Sequence, residues 1–295
     1  MPCDICNIAV LYESDEWSDH KLAAELAHSF PGACVEMIDM TVPDAVERAL
    51  SCDLLVNRVF ASALFRGHED AHRNMARLID ELEQDDAGLV NPAAAHFYEI
   101  DKVCALDALD HVGIAVPLLH ARGKYGALDV AAVEYPAIVK PVCGGRTTHT
   151  SIVETPEELE AHLAASPDME FMVQRYVRPE RGFITRVEVV VGKPLFAVKR
   201  SVAHNGLSAY RFGSTYEMYD DCPAAILEDV TKAAAELDFF FGSFDIVESG
   251  DGAFFIDANS VSNVSEDCTE LFGVDLMRCY AEALANRYGQ EKEED

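Results

Sequence analysis

The first hundred residues alternate between short apolar runs and segments with helical spacing. ICNIAVLY reads as a strand, SDHKLAAELAHSF as a helix, ACVEMIDM as a strand, VPDAVERAL as a helix and CDLLVNRVF as a strand. Strands alternating with helices predict a parallel sheet. GHEDAHRNMARLIDELEQ then sets Met75, Leu78, Ile79 and Leu82 at helical spacing, and GLVN forms a short strand ended by Asn91-Pro92. A first domain therefore closes near residue 95.

The pattern changes after that point. EIDKVCALDALDHVG is a helix with apolar positions Val103, Leu106, Leu109 and Val112, and AIVKPVCGGRTTHTSIV reads as strand, glycine turn and strand. Helix EELEAHLAAS and strand FMVQRYV follow. RVEVVV, PLFAVKR, GSFDIVE and GAFFIDANS predict antiparallel strands, flanked by helices at AAILEDVTKAAAELD and VDLMRCYAEALANRY. The final QEKEED has the composition of a disordered tail.

A length of 295 residues with 49% hydrophobic content is enough for a sizeable core and two or three domains. The 52 acidic against 23 basic residues give a formal net charge of −29, which repels polyanions and argues against nucleic acid as a partner. It also makes the position of each cation informative. Of nine cysteines, Cys3 and Cys6 stand alone near the start without the matching second C-x-x-C of a zinc site, and the set fits reduced thiols. No basic segment leads a long apolar core and no apolar run reaches spanning length, so the expectation is a cytoplasmic chain without membrane contact.

Candidate chemistry lies in the second half. Lys102 opens a helix, where exposed backbone N–H groups favour anions. Lys140 ends the strand AIV before Pro141 and the Gly144-Gly145 turn, and Lys199-Arg200 ends PLFAV. Each alone is more often a solvated strand end than a ligand. In SFDIVESGDGAFFIDANS, Asp245 on one strand can face Asp257 and Asn259 on the next, because residues i and i+2 share a strand face. Two carboxylates and an amide oxygen suit a hard divalent cation bound with phosphate, although an Asx turn at a strand end accounts for the same residues. In the first domain no G-x-G-x-x-G follows the first strand, where residues 12–17 read YESDEW. Asn57-Arg58, at the end of the third strand, stands equally as a contact for a substrate carboxylate and as surface. His68 and His72 have i,i+4 spacing, and with His96 they offer a rival metal site, but without a third ligand nearby a polar helix face is the commoner use. His204 is a weak acid–base candidate.

Taken in order, N-P with a following D-K helix, G-I-A-V-P, A-I-V-K-P with a glycine turn, V-Q-R-Y-V, T-R-V-E-V-V-V-G, A-V-K-R, F-D-I and D-A-N-S strongly resemble the ATP-grasp superfamily, most of all ligases of the ribosomal-protein-S6 modification and glutathione synthase type. The resemblance covers about residues 88–288. It implies an α/β and α+β fold: a Rossmann-like domain over 1–95, a central ATP-grasp subdomain with a Gly-turn lid over 96–178, and a C-terminal subdomain with a Mg²⁺ site over 179–289, before the tail 290–295. It implies an ATP-dependent carboxylate–amine ligase that forms an amide through an acylphosphate and releases ADP and phosphate. Its substrates would be small-molecule or peptide acids and amines, and relatives often form dimers or tetramers.

Carried over by position, the resemblance implies that Lys102 and Lys140 bind ATP phosphates beneath the Gly144-Gly145 lid. Gln174 and the backbone at Val177 would meet adenine. Arg186, Lys199 and Arg200 would be catalytic, reaching the phosphates or the acyl intermediate, with Lys199 also binding the nucleotide. Asp245, Asp257 and Asn259 would hold one or two Mg²⁺, with Mn²⁺ as a substitute. Four features depart from the pattern: the lid carries Arg146 and His149 in place of glycines, Ile184 stands where relatives place a carboxylate against the ribose (Glu180 lies close in sequence), Asp257 replaces the usual Glu, and N-S-V-S-N replaces Asn followed by Pro-Gly. A small-molecule kinase on the same fold and a nucleotide-binding protein without turnover are the alternatives.

Overall fold

The computed structural model describes residues 5–82 and 88–289. Cys3 and the acidic tail lie outside the described residues. Three sheets carry the fold.

The first sheet is parallel, in the order β2-β1-β3-β4, with β1 (Asn7–Tyr12), β2 (Cys34–Asp39), β3 (Leu54–Asn57) and β4 (Leu89–Val90). The helices between them are α1 (Trp17–Ser29), α2 (Ala45–Ala49) and α3 (Glu69–Glu81), with a 3-10 turn at Ala61–Arg66. Strand β1 is apolar and buried from Ile8 to Leu11 because both faces are covered there, the usual condition of parallel sheets. Ile8 and Val10 pack with Leu22 and Leu26 of α1, and Ala9 and Leu11 pack with Val46, Met75 and Leu78.

Two helices lead into the second sheet: α4 (Ala93–Ile100) and α5 (Lys102–His111). The sequence shows only the second as an apolar pattern, because the buried side of α4 includes His96 and Glu99. Asp101 divides them, its Oδ1 capping α5 through the Val103 and Cys104 amides at 3.1 and 3.0 Å. The second sheet is antiparallel, in the order β5-β8-β6-β7, with β5 (Leu119–Gly123), β6 (Ala137–Pro141), β7 (Ser151–Val153) and β8 (Phe171–Arg175), and α6 (Pro156–Ala164) packs on it. The expected hairpin is present as the β6–β7 pair.

The third sheet runs β11-β10-β9-β12-β13, with β9 (Phe183–Val190), β10 (Lys193–Ser201), β11 (Tyr216–Met218), β12 (Phe241–Ser249) and β13 (Gly252–Asn259), all antiparallel. Val187, Phe244 and Phe255 share one core with Val230 of α7 (Ala224–Glu236) and with Leu106 and Leu109 of α5. Met172 of β8 joins that core, so α5 is packed between the second and third sheets. Helix α8 (Glu266–Phe272) follows, and α9 (Leu276–Gly289) returns to the first sheet, where Met277, Tyr280 and Leu284 join the α1 side of its core. Among the described residues no helix is long and apolar enough to cross a membrane.

Candidate active site

Strand pairing brings the acidic residues together. Asp245 on β12 lies opposite Asp257 on β13, and Ser243 opposite Asn259. The register then shifts, because Ile246 pairs with Phe255 and Ile256 is left as a bulge. The bulge carbonyl turns out of the ladder and accepts a hydrogen bond from Lys140 Nζ at 2.6 Å. Lys140 lies one residue before the end of β6, on the second sheet, so this bond ties the two sheets at the point where the acids converge.

Cations already pair with these acids. Lys102 Nζ lies 2.5 Å from Asp257 Oδ1, and Lys102 is only 6% exposed. Asp245 sits between Arg200 Nη1 at 2.8 Å and Arg186 Nη1 at 3.4 Å. Burial presses the Lys102 ammonium toward neutrality, but Asp257 and Glu99 outweigh it and hold its pKa above the usual lysine value. Burial would raise the Asp245 pKa, yet Arg200 and Arg186 hold it below the ordinary carboxylate range. Among the described residues no carboxylate pairs with Lys140, and burial pushes it down to about 8.

These residues form one end of a cavity of about 260 Å³, together with Asn259. Two residues along the same strand faces the lining turns apolar, at Ile138 beside Lys140, Ile184 beside Arg186 and Val247 beside Asp245, and Pro117, Leu207, Gln174, Tyr176 and Val177 also line this apolar end. Gln174 is buried and donates to the Pro117 carbonyl at 3.3 Å. The β6–β7 turn, Gly144 to Thr148, closes one side. At Gly144 a Cβ would lie 2.4 Å from the Phe65 ring, so a side chain there requires the ring to move. Arg146, Thr147 and His149 adopt left-handed φ of 58°, 59° and 52°, conformations that cost free energy outside glycine, most of all for β-branched Thr147. Arg146 is paired with Glu16, which fastens the turn to the loop ahead of α1.

Lys199 is not brought to this cavity. Successive strand residues point to opposite faces, so Arg200 faces the acids while Lys199 pairs with Glu217 at 3.2 Å and lies 4.7 Å from the Tyr219 ring centre. Lys199 is thus absent from the cavity lining, unlike the catalytic position expected for it. Arg58 is neither surface nor cavity wall. Only 2% exposed, it bonds Asp19 at 2.8 Å and Ser18 at 2.9 Å behind the site, while Asn57 accepts from the Val59 amide at 2.9 Å. Glu180 turns away to accept from the Gly250 amide at 2.9 Å. His68 pairs with Glu13, the His72 and His96 rings lie 6.2 Å apart, and His204 is exposed outside the cavity.

Two glutamates that the sequence reading missed hold the segment after β13. Glu99 accepts from the Ala61 amide at 3.2 Å and from the Ser260 amide at 2.7 Å. Glu188 accepts from Arg186 Nε at 2.7 Å and from Ser262 Oγ at 2.6 Å. Asn263 donates to Glu16 at 3.3 Å. Thus the unusual Ser260–Asn263 segment is fixed by three carboxylates. The signal for Glu188 was its i+2 spacing from Arg186 on one strand face; Glu99 carried none, since α4 was not legible.

Among the described residues no group of three or more His, Cys, Asp and Glu side chains is arranged to hold a metal ion. Asp257 and Asn259 nevertheless fit one that brings its own oxygens. The Asn259 amide nitrogen is buried without a hydrogen-bond partner, and rotation of the amide puts its oxygen there instead. A Mg²⁺ ion takes one or two carboxylates and completes its shell from phosphate and water.

The chain matches no family model and no curated protein. Solved structures do match over nearly the whole length. The D-cycloserine synthetase DcsG is 17% identical with a TM-score of 0.72, covering 96% of this chain and 99% of its own. The ATP-grasp ligase PsnB, described in complex with a phosphomimetic variant of its minimal precursor, Mg and ADP, is 17% identical with a TM-score of 0.66 over 95% and 98%. A RimK domain ATP-grasp protein from Sphaerobacter thermophilus is 19% identical with a TM-score of 0.66 over 95% and 98%. The fold of this chain is the ATP-grasp fold.

Proposed function

We propose that the chain is an ATP-dependent carboxylate–amine ligase acting in the cytoplasm on a small-molecule or peptide acid and an amine. The observation that carries this reading is one cavity, in an ATP-grasp fold, with Lys102, Lys140, Arg186 and Arg200 gathered around Asp245, Asp257 and Asn259 at one end and an apolar slot at the other. In a chain of net charge −29 such a concentration of cations favours a polyphosphate. The likeness to PsnB, whose structure is described with Mg and ADP, supports the same ligand. We take 1–95, 96–178 and 179–289 as the three domains, since each range supplies its own sheet, with α9 returning to the first.

The roles follow from position. Adenine enters the apolar slot beside Gln174 and the Val177 backbone, and the phosphates meet Lys102 and Lys140. A divalent cation, held by Asp257 and Asn259 and joined by Asp245 when the arginines turn to phosphate, would neutralise charge on the β- and γ-phosphates. A carboxylate oxygen of the acid attacks the γ-phosphorus and ADP leaves. Arg186 and Arg200 stabilise the charge that develops, and phosphoryl transfer needs little else from the protein. The amine then attacks the acyl carbon, loses a proton, and phosphate departs. An acylphosphate hydrolyses readily, so the Gly144–Thr148 turn serves as the lid that excludes water.

An ADP-release screen over paired acids and amines tests this reading. ADP and free phosphate formed only when both partners are present is the expected result. A stable phosphorylated product makes the chain a kinase, and AMP with pyrophosphate overturns the mechanism.

A further inference from the structure

The two ends of the cavity fix how a nucleoside triphosphate lies between them, and so which residue its sugar meets. On β9, Arg186 belongs to the charged end. Ile184, two residues back on the same face and roughly 6.6 Å away along the strand, lines the cavity toward the apolar end. Ile184 is paired across the ladder with Arg200. A sugar between base and phosphates therefore rests on Ile184, with Val247 and Leu207 beside it.

Among the described residues no carboxylate lines the cavity beside Ile184. The carboxylates lining the cavity are Glu99, Asp245 and Asp257, and each is engaged at the charged end. Glu180, the nearest acid in sequence, is held by the Gly250 amide at 2.9 Å. The hydroxyls at that end are used as donors to backbone: Tyr176 to the Gly206 carbonyl at 3.3 Å, and Ser208 to the Arg200 carbonyl at 3.4 Å.

A site built to hydrogen-bond a hydroxyl rejects the analogue that lacks it, because buried polar groups are then left unpaired; an apolar wall has no such penalty to impose. We propose that this nucleotide site does not select for ribose, and that Ile184 is the residue responsible: 2′-deoxyATP and 2′,3′-dideoxyATP bind as well as ATP. The inference rests on the ATP reading of the cavity and adds the sugar specificity to it.

Calorimetric titration of the full chain with the Mg²⁺ complexes of the three nucleotides tests it without any turnover. The expected dissociation constants agree within about threefold. The variant Ile184→Glu, with an acceptor at the sugar, is expected to favour ATP over 2′,3′-dideoxyATP by on the order of tenfold. A wild-type preference for ATP of tenfold or more overturns the inference while leaving the ATP reading in place. If no nucleotide binds, the ATP reading falls, and this inference falls with it.

Discussion

At the charged end of the cavity, Lys102 is matched to Asp257, and Arg186 and Arg200 to Asp245, before any ligand is present. At the apolar end Ile138, Ile184 and Val247 offer shape and little else. Under the proposed function the first end would work by exchange: a triphosphate would take over the cations and release the acids to a metal ion, so that little net charge is created or left unpaired. The second is ready as it stands. On that proposal, specificity for phosphate would reside in side chains that must change partners, and acceptance of the nucleoside in strands that need not move.

The contrast is broken most severely at Asp257. Asp257→Asn should lower Mg-ATP turnover by about a hundredfold or more with the fold intact by circular dichroism, as should Asn259→Ala; normal activity in either would remove the metal assignment. Lys140→Ala should weaken nucleotide binding by about ten- to a hundredfold, the worth of a charge-assisted hydrogen bond, and an unchanged nucleotide-induced thermal shift would contradict it.

Exchange also predicts a gain. In Lys102→Met, Asp257 loses its cation, so Mn²⁺ affinity without nucleotide, read by electron paramagnetic resonance, should rise on the order of tenfold; no change means that the pair does not compete with metal.

The pH dependence follows from Lys140. Its folded pKa of about 8 lies below the ordinary lysine value of 10.5, so in the free protein the ammonium is lost as pH rises through 8. Phosphate binds the charged form. Nucleotide affinity should therefore fall above pH 8, by up to about tenfold per pH unit with uptake of one proton. That dependence should be absent in Lys140→Ala. For stability the sign is opposite: between pH 8 and 10.5 the unfolded chain binds more protons at this residue, so its contribution to stability rises with pH. The smallest effect belongs to Lys199→Met, which faces away from the cavity. Steady-state constants should stay within about twofold and stability within about 1 kcal/mol; a large loss of kcat would return Lys199 to the site.

Much of this arrangement was legible in the sequence, and the exceptions share a cause. The alternation that gives the parallel sheet, the β6–β7 hairpin and the opening of α5 at Lys102 are local patterns. So is the shared face of Asp257 and Asn259. The sequence does not place Lys199, because only strand register decides whether it or Arg200 faces the cavity, and a one-residue change reverses every side chain. Arg58 was misplaced because its partner Asp19 lies in a different element, and Glu99 because the helix that carries it buries polar residues. Sequence shows periodicity, whereas charge pairing across elements appears only when the chain is folded.

The most direct test of the ligase mechanism is isotope transfer in the acid and amine pair that the ADP screen identifies. With ¹⁸O in the substrate carboxylate, attack on the γ-phosphorus and later loss of phosphate should carry one labelled oxygen into the released phosphate. Unlabelled phosphate, or label appearing in AMP, would contradict the mechanism.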